Sequence, residues 1–340
     1  PVLKILGLLL SILAVSMLIP MSFDLIGGHS DWNAFAAASL FTGFIGICLW
    51  LANRKTNDND LGLKEAFLLT NGAWALIGLF GALPFYFSSL ELSVVDSVFE
   101  STSGITTTGS TILSNIEQAS LGLLIWRALL QWLGGIGIIV MAIAVLPMLS
   151  VGGMQLFRTE SFETADKVIP RATQLAGGIF AVYTGLTILW TAMLAGAGMP
   201  SFDALAHAMT TLATGGYSTK TSSVGAFDSH LIELIIIAGM IVGSLPFVHY
   251  LALTRGGWKG LWNDPQVKWF VVLMAAVISL ITIDLNKDGY GWADALRLSS
   301  FNAISVLTGT GYGTADFALW GGSSTTILLI CMFIGGCAGS

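Results

Sequence analysis

Three short segments rich in threonine and glycine recur along this chain, each combining residue types suited to holding a bare cation by backbone oxygen. They are Ile105-Thr106-Thr107-Thr108-Gly109-Ser110-Thr111, Leu212-Ala213-Thr214-Gly215-Gly216-Tyr217-Ser218-Thr219 and Leu307-Thr308-Gly309-Thr310-Gly311-Tyr312-Gly313-Thr314. Glycine takes left-handed backbone angles without steric cost, which lets successive carbonyls turn toward a common axis. Carbonyls so arranged can replace the hydration shell of a cation. Gly109, Gly216 and Gly311 align at separations of 107 and 95 residues, so a unit of about 100 residues is repeated in series. One copy alone reads as an ordinary polar turn. Three in register do not.

Such loops need elements to position them, and the same element precedes each. The stretches Val94 to Gly104, Phe202 to Thr211 and Ala293 to Val306 have helical apolar spacing, as in Val95, Val98, Phe99 and Thr102. They are too short and too polar to cross a bilayer, so each is predicted to be a re-entrant half-helix. Non-helical backbone at membrane depth is tolerated only when it is buried in protein or lines a water-filled cavity. The negative end of the half-helix dipole then faces the cation's resting place. Nine residues before each key glycine stand Glu100, His207 and Asn302, a polar column expected to anchor the half-helices by hydrogen bonds.

The surrounding composition is that of a membrane protein. Only 10% of residues are charged and 54% are hydrophobic, with a mean hydropathy of +0.80; soluble domains are about 25% charged. Eight spans are predicted: Val2 to Phe23, Ala34 to Leu51, Ala66 to Phe87, Leu121 to Leu149, Leu175 to Ala197, Leu231 to Leu253, Val267 to Asp284 and Ser324 onward. A cleavable signal peptide fits the first of these poorly. Its apolar run is too long and no clean small-residue cleavage site follows.

Basic residues set the orientation. With the N-terminus cytoplasmic, the inner segments hold Lys4, Arg54, Lys55, Lys64, Arg158, Lys167, Arg171, Arg255, Lys259 and Lys268, and the outer ones only Lys220, Lys287 and Arg297. Arg127 is left near the outer end of the fourth span, where it is expected to snorkel to the interface. The outer face collects Asp24, Asp31, Glu91, Asp96, Glu100, Glu117, Asp203, Asp228, Glu233, Asp284, Asp288, Asp294 and Asp316. Such an excess concentrates cations at a mouth. It also fits the readier translocation of acids than of bases.

Other chemistries find no footing. Cys48, Cys331 and Cys337 lie in apolar segments and imply no disulfide framework. His29, His207, His230 and His249 are scattered, so no transition-metal site is readable. No serine sits in a nucleophile-elbow setting, and nothing argues for an enzyme or for nucleic-acid binding.

The third copy, Thr310-Gly311-Tyr312-Gly313, nearly reproduces the T-V-G-Y-G filter loop of potassium channels. With one filter glycine per span, loop and span unit, the chain resembles the Trk/Ktr/HKT superfamily of potassium transporters. The stretches Gly153 to Glu160, Lys167 to Thr173 and Thr211 to Lys220, with the two spans before the first repeat, are similar to its Trk-type membrane subunit (TrkH). The resemblance implies an all-α polytopic membrane protein. Two N-terminal spans are followed by tandem pore repeats, three present of an expected four, arranged as in a potassium channel. Residues 1–60 form the N-terminal pair, 61–152 the first repeat, 153–262 the second and 263–340 the third, which is incomplete. The chain stops early in its last span, so a fourth repeat is expected beyond it.

By the same resemblance, potassium is coordinated near Thr107, Thr108 and Gly109, near Thr214, Gly215 and Gly216, and near Gly309, Thr310 and Gly311. A gate loop begins at Gly335, Gly336, Cys337, Ala338, Gly339 and Ser340. The implied protein is a homodimer in the bacterial inner membrane. It docks a cytosolic nucleotide-binding regulatory subunit of the TrkA type, through a face that includes the loop from Ser150 to Gln174, and needs no cofactor beyond potassium as substrate. The function expected is potassium uptake. Two alternatives stand beside it: a sodium-permeable or mixed cation carrier of the same fold, and a non-transporting membrane scaffold or receptor. Proton coupling has only Glu233, His249 and Arg127 as near-span candidates.

Overall fold

A computed structural model describes residues 1–55, 62–144, 168–254 and 258–337, and the chain divides into two compact units, 1–167 and 168–340. Among the described residues every regular element is helical. Large apolar side chains face outward along these helices, Leu40 being 76% exposed and Phe333 86%. Apolar exposure of this extent along long helices suits a lipid surround.

The first unit opens with α1 (Val2–Ser16) and α2 (Leu18–Gly27), which follow each other as one span of 26 residues, and α3 (Trp32–Ala52) packs along α1. Small residues permit this crossing: a Cβ on Gly7 would lie 2.7 Å from the Gly46 carbonyl oxygen, and one on Gly46 would lie 2.7 Å from Ser11 Oγ. Next come α4 (Leu63–Gly81) and α5 (Leu83–Phe87), with Pro84 in the first turn of α5, then α6 (Val94–Ile105) and α7 (Leu121–Ala144). Buried polar groups staple the unit together. Asp24 accepts from the Gly122 amide at 2.6 Å and Ser120 Oγ at 3.1 Å, Asp31 accepts from the Ser89 amide at 2.9 Å, and Trp126 Nε1 donates to the Gly81 carbonyl at 3.0 Å.

The second unit begins with α8 (Val168–Gly196), which starts seven residues before the predicted span and absorbs the end of the predicted cytoplasmic loop. The rest of that loop lies outside the described residues. After it come α9 (Ser201–Leu212), α10 (His230–Ser244), α11 (Phe247–Thr254), α12 (Trp258–Asn263), α13 (Pro265–Lys287), α14 (Trp292–Leu307) and α15 (Gly322–Ile334). Its apolar core gathers Phe270, Val277, Ile281 and Leu285 of α13 with Ala303 and Leu307 of α14 and Leu328 and Cys331 of α15.

Five helices are long and apolar enough to cross a membrane among the described residues, and the α10 and α11 pair makes a sixth if counted as one span. The predicted span from Leu231 to Leu253 is not one continuous helix: it breaks, and its halves bend by 96°. Proline at 246 forces Leu245 into extended backbone, φ −84° and ψ 151°, and supplies no amide for a helical bond. Tyr250 Oη donates 2.7 Å to the Val242 carbonyl near the end of α10. The fourth and eighth predicted spans correspond to α7, apolar over Leu121–Gly137, and to the 13-residue α15.

Candidate ion-coordinating loops

Each Thr/Gly segment follows a helix too short to span. At about 1.5 Å per residue, the 12 residues of α6 and of α9 and the 16 of α14 fall short of the roughly 20 that a crossing needs. The three match the predicted half-helices to within one residue at each end. Their C-terminal turns are buried, with His207, Thr210 and Thr211 of α9 all at 0% exposure. Ser93 caps α6 by accepting from the Asp96 amide at 3.1 Å.

All three loops leave their helices with the same backbone bonds. In the first, the amide of Thr107 donates to the Gly104 carbonyl at 3.0 Å, and those of Thr108 and Gly109 to the Ser103 carbonyl at 2.9 and 3.5 Å. In the second, Thr214 donates to Thr211 at 3.0 Å, and Gly215 and Gly216 to Thr210 at 2.9 and 3.4 Å. In the third, Gly309 donates to Val306 at 3.1 Å, and Thr310 and Gly311 to Ser305 at 2.9 and 3.3 Å. The carbonyl of a trans peptide points opposite to the N–H it shares a plane with. With the amides turned back onto the half-helix, the carbonyls of Thr106, Thr107 and Thr108 face away from it. So do those of Ala213, Thr214 and Gly215, and of Thr308, Gly309 and Thr310. Each group includes two of the three residues expected from the sequence and begins one residue earlier.

This path needs left-handed backbone twice per loop. Thr107, Thr214 and Gly309 have φ of 56°, 49° and 73°, and Gly109, Gly216 and Gly311 have 78°, 75° and 84°. For a β-branched threonine such angles are true outliers, costing on the order of 1–2 kcal/mol, and strain of this kind concentrates at functional sites.

The polar column sits where the spacing put it. Glu100 accepts from Thr111 Oγ1 at 2.9 Å and from the Ile112 amide at 3.1 Å. His207 Nε2 lies 2.9 Å from Ser218 Oγ, and Asn302 Nδ2 donates to Thr314 Oγ1 at 3.1 Å. Each thus ties its half-helix to the chain that follows Gly109, Gly216 or Gly311 in its own repeat. A second column escaped sequence reading. Ser103 and Ser305, six residues before Gly109 and Gly311, donate to the carbonyls of Ser110 at 2.6 Å and Tyr312 at 2.7 Å.

Two further features had little sequence signal. Glycines in the following helices make room for the half-helix ends: a Cβ on Gly134 would lie 1.9 Å from the Ile105 carbonyl oxygen, and one on Gly243 would lie 2.9 Å from that of Leu212. Within the second unit the loops of the second and third repeats touch. A Cβ on Gly216 would lie 1.8 Å from the Thr310 carbonyl oxygen, and the Gly225 amide donates to the Gly313 carbonyl at 3.2 Å.

Arg127 corrects a prediction, since it does not snorkel. It is 1% exposed, and its Nε lies 2.7 Å from Glu100 Oε1. Burying a guanidinium requires a paired carboxylate, and the half-helix supplies one. Five of the thirteen outer acids, Asp24, Asp31, Glu100, Asp203 and Glu233, are likewise buried. They hold structural partners such as Thr219, 2.6 Å from Asp203, and Arg297, 3.0 Å from Glu233. His249 pairs with Asp264 at 2.7 Å. At the expected gate loop, α15 ends at Ile334 and Gly335 takes φ +71° with ψ −176°, a backbone that glycine adopts without steric cost and that ends the helix. Ala338, Gly339 and Ser340 lie outside the described residues.

These features define an all-α, multi-pass membrane protein with half-helices ending in carbonyl-presenting loops. The family of that architecture is identified by comparison: a family model described as TrkH, a cation transport protein, matches residues 32–340, and the chain belongs to that family. A Trk system potassium uptake protein, TrkI, of Halomonas elongata is 40% identical over all of this chain and 69% of its own length. TrkH of Escherichia coli K12, also described as a Trk system potassium uptake protein, is 36% identical over 99% of this chain and 71% of its own. The crystal structure of the potassium transporter TrkH from Vibrio parahaemolyticus superimposes with a TM-score of 0.90 at 33% identity, covering all of this chain and 70% of that one.

Proposed function

We propose that this protein carries potassium into the cell across the bacterial inner membrane, through a channel-like pore whose filter is built from backbone carbonyls. The observation that carries this reading is the threefold repetition of one backbone path. Two left-handed residues per loop, with the amides turned back onto the half-helix, leave carbonyl oxygens as the ligands on offer. Carbonyl rings suit a dehydrated monovalent cation. Thr107, Thr108, Gly109, Thr214, Gly215, Gly216, Gly309, Thr310 and Gly311 are the proposed potassium-coordinating residues, and the names of the relatives favour potassium over sodium.

Residues 1–60 are an N-terminal pair of spans, followed by pore repeats over 61–152, 153–262 and 263–340. The N-terminus is cytoplasmic, supported by ten inner bases against three outer ones. The loop beginning at Gly335 and Gly336 and running through Ala338, Gly339 and Ser340 gates the path, supported by the helix stop at Gly335. The protein works as a homodimer with a cytosolic nucleotide-binding subunit of the TrkA type, a pairing supported by family resemblance.

The test is potassium or rubidium uptake in cells stripped of their own uptake systems. Expression of this protein restores concentrative uptake if the reading holds. Wild-type abundance in the membrane without flux overturns it in favour of a non-transporting scaffold.

A further inference from the structure

Resting on that filter reading and extending it, we propose that Tyr312 is a positioning residue that fixes the third filter loop against the half-helix of the second repeat and thereby sets ion selectivity. Tyr312 follows Gly311 directly and is 2% exposed. Its phenol oxygen lies 2.5 Å from Thr210 Oγ1, 3.2 Å from Thr211 Oγ1 and 3.2 Å from the His207 carbonyl oxygen. A phenol has one proton and an oxygen that accepts, and this cage serves both. The ring lies beside that of His207, with centroids 5.9 Å apart.

The backbone on either side of Tyr312 is held as well. Its carbonyl accepts from Ser305 Oγ at 2.7 Å within its own repeat. The next residue, Gly313, donates to Ser223 Oγ at 3.2 Å and accepts from the Gly225 amide at 3.2 Å, both on the segment that leaves the second loop. Two residues before Tyr312, the Thr310 carbonyl rests against Gly216. Tyr312 is therefore the rigid link through which a shift of one loop reaches the other. An aromatic side chain suits this task because it has only two torsions to order. At the same place in the first repeat stands Ser110, too short for such a link.

The experiment measures potassium against sodium flux through purified protein in liposomes for Tyr312→Phe, Thr210→Val, Thr210→Ser and the double Tyr312→Phe/Thr210→Val. Losing one such hydrogen bond lowers the potassium to sodium ratio by about three- to tenfold. Tyr312→Phe and Thr210→Val are expected to fall alike, the double no further than either, and Thr210→Ser to keep the wild-type ratio. A wild-type ratio in Tyr312→Phe, or additive losses in the double, overturns the link while leaving the filter reading intact. A change in membrane abundance without a change in ratio makes Tyr312 merely structural and also overturns it. Potassium flux absent from the wild type removes the filter reading and the link together.

Discussion

Arg127 Nε and Glu100 Oε1 lie 2.7 Å apart in a pocket closed to solvent, and this pair locks the first half-helix to the span that follows its loop. Glu100 also holds Thr111 and Ile112 beyond Gly109. One carboxylate therefore fixes both ends of the turn.

Removing the cation alone strands that carboxylate. Arg127→Gln is expected to destabilise the protein by about 3–5 kcal/mol, whereas Glu100→Gln combined with Arg127→Gln removes both charges and costs less. Thermal melting of detergent-purified protein checks the order. A double variant that melts well below Arg127→Gln contradicts a paired role.

Gly216 and Gly311 share left-handed backbone but differ in their surroundings. A Cβ on Gly216 meets the Thr310 carbonyl oxygen at 1.8 Å, whereas one on Gly311 meets nothing within 4 Å. Gly216→Ala is expected to abolish flux and sharply lower the yield of folded protein. Gly311→Ser is expected to fold, with only the left-handed penalty of about 1–2 kcal/mol, and to admit sodium because that backbone strain re-aims the loop carbonyls. Crowding by the hydroxymethyl group within the chain is not the cause. Paired measurements of yield and reversal potential separate the two variants, and equal yields would refute the distinction.

Thr107 and Thr214 occupy positions where the third repeat has Gly309. Thr214→Gly relieves the strain of φ 49° but frees the unfolded chain. The two effects nearly cancel, so stability is expected to stay within about 1 kcal/mol of wild type. A fall in melting several times larger would contradict a relieved strain at this position.

Beside the break that Pro246 imposes between α10 and α11, the Tyr250 phenol donates to the Val242 carbonyl, which also accepts from the Leu245 amide at 3.4 Å. Tyr250→Phe is expected to lower stability by about 1 kcal/mol. Tyr86→Phe, on an exposed ring, is the control and should melt like wild type.

The parts legible in the sequence were those encoded locally. Apolar spacing bounded α6, α9 and α14 to within a residue, and the need for positive φ marked Gly109, Gly216 and Gly311. The recurrence of Glu100, His207 and Asn302 nine residues upstream gave their anchoring role. What stayed hidden depends on partners far along the chain. Arg127 finds Glu100 across 27 residues, and Tyr312 finds Thr210 across 102, separations at which spacing carries no signal. Hydropathy also smooths over Pro246, because the residues on either side are equally apolar. The break came from a backbone restriction that an average over the window does not register.

Whether these loops hold dehydrated potassium by backbone oxygen is read most directly from the reversal potential of purified protein in a bilayer with potassium on one side and sodium on the other. The expected potential follows the potassium gradient and collapses toward zero in Gly311→Ser. A wild-type potential near zero, or one that follows sodium, would contradict it.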